Sequence, residues 1–447
     1  MKQLFGTDGI RGLAGEFPLD EKTVQIIGAS LARQFREKLG RDPKFISGRD
    51  TRESGSWIEN ALRAGAIAEN AECSSAGVIT TPGVAYLTKA FEFDAGIVIS
   101  ASHNPFEDNG IKIFLPNGSK VDEATERLIE RDIYDKRVPV DVHMPASDPD
   151  SEAKFRQAYT TYLADAASRI EANNYRIVID CANGASSDFA PRVFTNFGGG
   201  VVVINNEPDG RNINANCGSL HLEHLQAKVL EEKADIGIAF DGDADRALFV
   251  DENGKIVDGD ATLWIMARYL RVHGKLANST VVATVMSNIG LELVLKSKNI
   301  DLIRASVGDK YVLEKLLETG SEVGGEQSGH IIFPETSLVG DGMMTALTLL
   351  RSISERGISL AYATKDFVAY PQTLVNVKVD EKRPFDEVPE IVEAAKAIEE
   401  ELHGEGRLLL RYSGTENLAR VMIEGKDQAS IEEQAKRLAA VIGSALG

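Results

Sequence analysis

Three aspartates at alternate positions, in the run Asp241-Gly242-Asp243-Ala244-Asp245-Arg246, are the most specific chemical signal in the chain. Carboxylates this close repel one another unless a cation joins them. Their oxygens on a tight loop suit a hard divalent cation, and three of them leave positions that magnesium fills with phosphate or water. An EF-hand would use the same first ligands, and Glu252 falls at its twelfth position. Arg246, however, stands where that loop needs its turn glycine, and strand-like residues flank the run in place of helices.

Ser102, in Ser100-Ala101-Ser102-His103-Asn104-Pro105, is the second candidate. A serine hydroxyl is a weak nucleophile until a neighbour activates or orients it. The hydrolase elbow G-x-S-x-G is missing, and a turn serine bonded to its own backbone is the plain structural reading. The chain also lacks a Walker A motif and the kinase signature set, so a phosphorylated substrate is the simplest phosphoryl donor. A phosphate on Ser102 could fill an open position on the metal, which would then withdraw charge from it during transfer.

Other stretches could complete a site. Gly6, Gly9 and Gly12 surround Thr7, Asp8 and Arg11, so backbone N–H groups and a guanidinium fork could converge on an anion. Glu326-Gln327-Ser328-Gly329-His330 offers polar groups for sugar hydroxyls or an amine, and His330 could move protons near neutral pH. Lys112 could act as acid or base if a closed cleft depressed its pKa. Arg411, Ser413, Gly414, Thr415 and Arg420 read as a phosphate cradle. Each has a structural alternative: a flexible glycine-rich terminus, a satisfied core histidine, a snorkelling lysine, an ordinary turn.

The elements that must position these loops are legible. Ile97-Val98-Ile99 is a short buried strand, and Pro105 forces the turn that follows it. Asp20 and Gly40 bracket a helix whose buried stripe is Val24, Ile27, Leu31, Phe35 and Leu39. Strands alternating with helices predict a mostly parallel, two-side-covered sheet in the first unit. Met144 to Ser151 is the best linker. From about Tyr370 the pattern changes to a small α+β unit, whose last helix carries a Ser430/Glu433 capping box and a stripe of Ile431, Ala435, Leu438 and Ile442. The division is residues 1–150, 151–256, 257–369 and 370–447, and each segment delivers one polar loop. Four such loops predict one cleft built jointly by all the domains.

Composition bounds the partners. The chain has 447 residues, 43% hydrophobic and 26% charged, with a net charge of −19. That excess of carboxylate argues against nucleic acid or an anionic membrane. Cys73, Cys181 and Cys217 form no CxxC pair, so a disulfide framework or zinc site is not expected and a reducing cytosol fits. The N-terminus has no signal-peptide h-region, and no apolar run is long enough to span a bilayer. A homodimer is left open.

GTDGIRG (6–12), SASHNP (100–105), DGDADR (241–246), GEQSGH (325–330) and RYSGTEN (411–417) fall in order across essentially the whole chain. Jointly they resemble the α-D-phosphohexomutase superfamily. Gln327 and Gly414 look more like its bacterial branch acting on glucosamine phosphates than its mannose/glucose branch. The resemblance implies an α/β protein: three similar mixed-sheet domains plus a smaller C-terminal α+β domain around a central cleft. It implies Ser102 as the phosphoserine and, with Asp241, Asp243 and Asp245, a ligand of one Mg²⁺ per site. His103, Lys112, Arg11 and His330 complete the implied catalytic set. Arg246, Glu326, Ser328, Arg411, Ser413, Gly414, Thr415 and Arg420 are the implied substrate contacts. The implied activity interconverts glucosamine 6-phosphate and glucosamine 1-phosphate through glucosamine 1,6-bisphosphate, feeding UDP-N-acetylglucosamine and cell-wall precursor synthesis. The alternatives are a mannose- or glucose-phosphate mutase, a metal-dependent phosphatase and a calcium-binding structural protein.

Overall fold

Helix α1 (Glu21–Leu39) starts where the Asp20 carboxylate accepts the Thr23 N–H, and stops at Gly40 in the left-handed region. Val24, Ile27, Leu31 and Phe35 are buried, whereas Leu39, in the last turn, is exposed. The computed structural model describes residues 3–6, 8–137, 148–170, 175–195, 197, 199–276, 278–413 and 417–447. Residues 144–147 of the expected 144–151 linker lie outside them; Asp148 caps a helix that already includes 149–151, so that half is not linker.

Around α1 the chain runs β1 (Phe5–Gly6), β2 (Gly9–Leu13), β3 (Lys44–Arg49), α2 (Gly55–Ala68), β4 (Glu72–Val78), α3 (Thr81–Ala90), β5 (Ala95–Ile99), β6 (Asp108–Phe114) and α4 (Glu123–Tyr134). The strand order is β1-β2-β6-β5-β3-β4. Only β3–β4 and β3–β5 pair in parallel; β5–β6, β2–β6 and β1–β2 are antiparallel. The sheet is therefore mixed, not mostly parallel. The segment from β5 to β6 is too short for a crossover, so β6 must run back beside β5. Helices α1 and α2 cross in close contact. A Cβ on Gly28 would lie 2.0 Å from the Leu62 carbonyl oxygen, and one on Gly65 would lie 1.9 Å from that of Gln25.

Next come α5 (Pro149–Ala167), β7 (Ile177–Asp180), α6 (Phe189–Phe194), β8 (Val201–Ile204), α7 (Glu223–Glu232), β9 (Ile236–Phe240), β10 (Ala247–Asp251) and β11 (Ile256–Val257). They supply a sheet ordered β11-β10-β9-β7-β8. Strands β7, β9 and β10 are buried along their whole length, as continuous apolar runs require. Helix α8 (Gly259–Val272), β12 (Thr280–Thr284), α9 (Ile289–Lys296), β13 (Asp301–Ala305), α10 (Asp309–Thr319), β14 (Gly324–Gly325), β15 (Ile331–Ile332), α11 (Gly342–Ser354) and α12 (Leu360–Thr364) follow, with a sheet ordered β13-β12-β14-β15. The chain ends in β16 (Gln372–Lys378), α13 (Pro389–Glu401), β17 (Arg407–Tyr412), β18 (Leu418–Glu424) and α14 (Gln428–Leu446), its antiparallel sheet ordered β16-β18-β17.

The expected Ser430/Glu433 capping box does not form. Asp427 caps α14 and its carboxylate accepts both the N–H and the hydroxyl of Ser430. A carboxylate already in cap position outcompetes a hydroxyl three residues further on. The Ile431, Ala435, Leu438 and Ile442 stripe is buried as expected.

Two compact units result: Met1–Thr284 with Ile303–Lys365, and Val285–Leu302 with Asp366–Gly447. Among the described residues, no helix is long and apolar enough to cross a membrane.

Candidate active site

Ser102 sits in the loop after β5, with φ +53° and its side chain buried. Its Oγ donates to Asp241 Oδ2 at 2.6 Å, and His103 Nδ1 lies 3.3 Å from the same oxygen. Asp241, Asp243 and Asp245 occupy the β9–β10 loop, all buried, with one ligand atom from each lying within 4.8 Å of the others. The flanking elements are strands, and the Glu252 carboxylate accepts the Ala361 N–H elsewhere. The EF-hand alternative is thereby excluded.

The triad is held from the first sheet. Thr81, at the start of α3, donates its hydroxyl to Asp243 Oδ2 at 2.5 Å. Lys112, on β6, lies 2.9 Å from Asp243 Oδ2, 3.2 Å from Asp245 Oδ2 and 3.0 Å from Asp8 Oδ2. Asp243 Oδ1 is buried without a hydrogen-bond partner among the described residues. An unpartnered carboxylate oxygen inside a buried acidic triad fits a divalent cation, and magnesium suits an all-oxygen site with places left for phosphate and water.

The charges divide unequally. Burial, then Asp245 and Asp243, hold the Asp241 carboxyl well above its usual range. Burial also acts on Asp245, but Lys112 and His330 outweigh it and keep that group low. Lys112 departs from expectation. Burial alone would push it down, but Asp243, Asp8 and Asp245 raise it well above the ordinary lysine value. It keeps its proton, so it is not the depressed-pKa base the sequence suggested. His330 differs too. Burial opposes, yet Asp245 and Asp309 push it up to about 9, so it stays cationic through neutral pH. His103 is pushed down to about 4 by burial, then by Arg246 and Arg11, and is neutral there.

A cavity of about 420 Å³ opens beside the triad, lined by Asp8, Arg11, Asp245, Arg246, Glu326 and His330, among others. Arg11 is ion-paired with Asp8, but its Nε, like that of Arg246, has no hydrogen-bond partner among the described residues. Two guanidinium groups on the cavity wall suit an anion there. Ser328 Oγ donates to Glu326 Oε2 at 3.2 Å, and Glu326 Oε1 accepts the Gly308 N–H. Gln327 turns to the Asp258 carboxylate at the start of α8.

Sequence reasoning gave no role to Lys120 or Asp309. Lys120 Nζ joins Asp8 Oδ1 at 2.7 Å to both Asp309 oxygens at 2.8 and 2.7 Å, tying the first sheet's domain to the start of α10. Asp309 follows Gly308 at a helix start, a weak signal; Lys120 carried none. In the second unit Arg411 and Arg420 stand directly opposite across β17 and β18. Burial, then Arg420, lower the Arg411 pKa. Two guanidinium groups so placed attract an anion. Lys382 Nζ donates to the Ser413 carbonyl at 2.7 Å. Gly414 and Thr415 lie outside the described residues.

Comparison with known proteins matches this arrangement. Models of phosphoglucomutase/phosphomannomutase α/β/α domains I, II and III and of the C-terminal domain match residues 2–138, 157–254, 258–370 and 374–441. A phosphoglucosamine mutase of Solibacter usitatus is 48% identical over 446 residues, spanning 100% of this chain and 99% of the relative. The chain belongs to the phosphoglucosamine mutase family. A second family member, from Caldicellulosiruptor saccharolyticus, is 47% identical with both chains fully covered. Solved structures share the fold at lower identity. A phosphoglucomutase/phosphomannomutase family protein of Burkholderia thailandensis superposes with TM-score 0.80 at 22% identity, covering 100% of this chain and 98% of that one. The Aspergillus fumigatus N-acetylphosphoglucosamine mutase, solved with GlcNAc-6P and magnesium, gives 0.67 at 19% identity, covering 99% and 96%.

Proposed function

We propose that this chain interconverts glucosamine 6-phosphate and glucosamine 1-phosphate through a phosphorylated Ser102 and a bound glucosamine 1,6-bisphosphate. The observation that carries the reading is the buried Ser102 hydroxyl, 2.6 Å from Asp241 of the acidic triad. Full-length relatives named phosphoglucosamine mutase support the choice of sugar.

In the first step the bond from phosphorus to Ser102 Oγ breaks, a bond to the sugar O1 forms, and the O1 proton ends on the departing Oγ. The bisphosphate then turns over, the bond from phosphorus to O6 breaks, that phosphoryl group passes to Oγ, and the Oγ proton ends on O6, leaving the 1-phosphate. Positioning and charge neutralisation carry such transfers. Asp241, Asp243, Asp245 and a Ser102 phosphate oxygen would hold Mg²⁺, which neutralises charge on the phosphoryl group when bound. Lys112 holds three carboxylates in place as a fixed cation. Arg11 and Arg246 steady the transferring phosphate. His330 donates to a sugar oxygen, while Glu326 and Ser328 read hydroxyl or ammonium groups. Arg411, Ser413, Gly414, Thr415 and Arg420 cradle the phosphate that is not reacting. A cytoplasmic setting fits the three reduced cysteines.

The test compares glucosamine, glucose and mannose 6-phosphates, each with Mg²⁺ and a trace of its 1,6-bisphosphate, using wild type and Ser102→Ala. The expected result is a large kcat/KM advantage for glucosamine 6-phosphate and a dead variant. A win for another sugar would refute the substrate, turnover by Ser102→Ala would refute the phosphoserine, and release of free phosphate alone would mark a phosphatase.

A further inference from the structure

Ser102 occupies the left-handed region without being glycine, a conformation that costs free energy unless its surroundings impose it. The imposing contacts come from both sides of the domain boundary. On the near side, the Ser102 N–H donates to Ser100 Oγ at 2.9 Å, and Ser100 Oγ donates to Asp50 Oδ2 at 2.6 Å. Arg52, its side chain wholly buried and ion-paired with Asp50, directs Nη2 at two carbonyls, those of Ser102 at 3.2 Å and Asn104 at 2.5 Å. On the far side, Asn214 directs Nδ2 at the same pair, at 2.9 and 3.0 Å. Gly242, between two of the triad aspartates, completes the enclosure: a Cβ there would lie 2.6 Å from the Ser102 carbonyl oxygen.

We propose that Arg52 and Asn214 are positioning residues that clamp the Ser102 and Asn104 carbonyls and thereby aim the Ser102 oxygen at the acidic triad; this rests on Ser102 being the phosphoryl carrier. Neither side chain touches the hydroxyl. Each acts through the backbone, one from the domain that owns the serine and one from the domain that owns the triad. The register between nucleophile and metal loop is thus set by four hydrogen bonds converging on two oxygens. Arginine suits the inner position because its planar fork reaches two acceptors while a second edge holds Asp50; a lysine point charge cannot do both. A neutral amide suits the outer one because it donates without adding charge beside the triad.

The experiment uses the full-length enzyme with glucosamine 6-phosphate and Mg²⁺. Asn214→Ala removes one donor from a half-buried loop; Asn214→Asp keeps the shape but turns an acceptor toward two carbonyls. Arg52→Lys keeps the charge on Asp50 and loses the fork. For Asn214→Ala and Arg52→Lys, kcat is expected to fall by about 10- to 100-fold, as small misplacements of reacting groups do. KM should stay within about twofold, since neither Arg52 nor Asn214 lines the cavity beside the triad. Asn214→Asp should be slower than Asn214→Ala, an order that a space-filling role would reverse. The two single effects should be non-additive in the double variant, because both act on the same oxygens. Thermal melts establish folding, and if Arg52→Lys melts early the Asn214 pair alone decides. Wild-type kcat in a folded Asn214→Ala, a rise in KM alone, or Asn214→Asp matching wild type would overturn the clamp. If instead Ser102→Ala keeps turnover, the carrier reading fails first, so the two failures are distinguishable.

Discussion

Asp243 divides its two oxygens between different tasks. Oδ2 takes the Thr81 hydroxyl and Lys112, leaving Oδ1 unpartnered for a cation. Outer partners of this kind fix the orientation of a ligand. Thr81→Val, which keeps the shape and drops the donor, is expected to weaken Mg²⁺ binding by roughly tenfold or more. Calorimetric titration of the substrate-free protein reads this, and unchanged affinity would remove Thr81 from the site. The cysteines offer a second residue-scale outcome. Burial pushes the Cys73 and Cys217 thiols up to about 12, and pushes Cys181 up as well. Because the thiolate is the reactive form, at pH 8 only about one molecule in 10⁴ would carry it at either site. Native protein should therefore react slowly with a thiol reagent that labels all three once the chain is denatured; rapid native labelling of Cys181 or Cys217 would contradict their burial. At this scale the sequence revealed the acidic triad and the Ser102 loop because each is a local spacing. Lys120 and Asn214 were illegible because their partners lie 110 or more residues away. The ionisation of Lys112 and His330 was misjudged for a related reason: both are governed by carboxylates from other elements.

Helices show how local rules succeed and where they stop. Asp20 caps α1 as its position predicts, and Asp20→Ala should cost about 1 kcal/mol in a denaturant titration. For α14 the order is informative. Asp427→Ala should lower the melting temperature more than Glu433→Ala, because Asp427 receives the Ser430 N–H and hydroxyl. The reverse order would restore the capping box. Gly28 is a different case, since its role lies between helices. With the Leu62 carbonyl 2.0 Å from where a Cβ would sit, Gly28→Ala should destabilise by roughly 1–3 kcal/mol despite alanine's better helix propensity. Periodicity marked α1 and α14 clearly. Helix α3, Thr-Pro-Gly-Val-Ala-Tyr-Leu-Thr-Lys-Ala, gave little warning because Pro82 and Gly83 fill its first turn. The mixed order of the first sheet was likewise hidden, since alternation of strands and helices says nothing about a strand that returns without a crossover.

At the scale of the molecule, the family and the α/β fold class were legible because five motifs fall in order along the chain. The division into compact units was not, because residues 285–302 belong with the C-terminal segment. The join is specific. Asn288 accepts the Tyr370 N–H and donates to the Tyr370 carbonyl, both at 2.9 Å, and Arg407 donates to the Ser287 carbonyl at 3.0 Å. Asn288→Ala should raise amide hydrogen exchange around residue 370 while leaving exchange in β9 unchanged. Equal exchange in wild type and variant would show that these bonds do not anchor residues 285–302.

That discontinuity also bears on synthesis and on engineering. A ribosome releases residues 285–302 well before the strands that complete their unit, since residues 303–365 of the other unit must be made first and 366–447 only after them. The nascent chain is then open to misassembly at an early stretch rather than at its last one. The same geometry sets the cut points for recombination among relatives. A hybrid that imports 366–447 alone separates Asn288 and Ser287 from the partners they grew up with, whereas one that imports 285–302 as well carries the whole unit across.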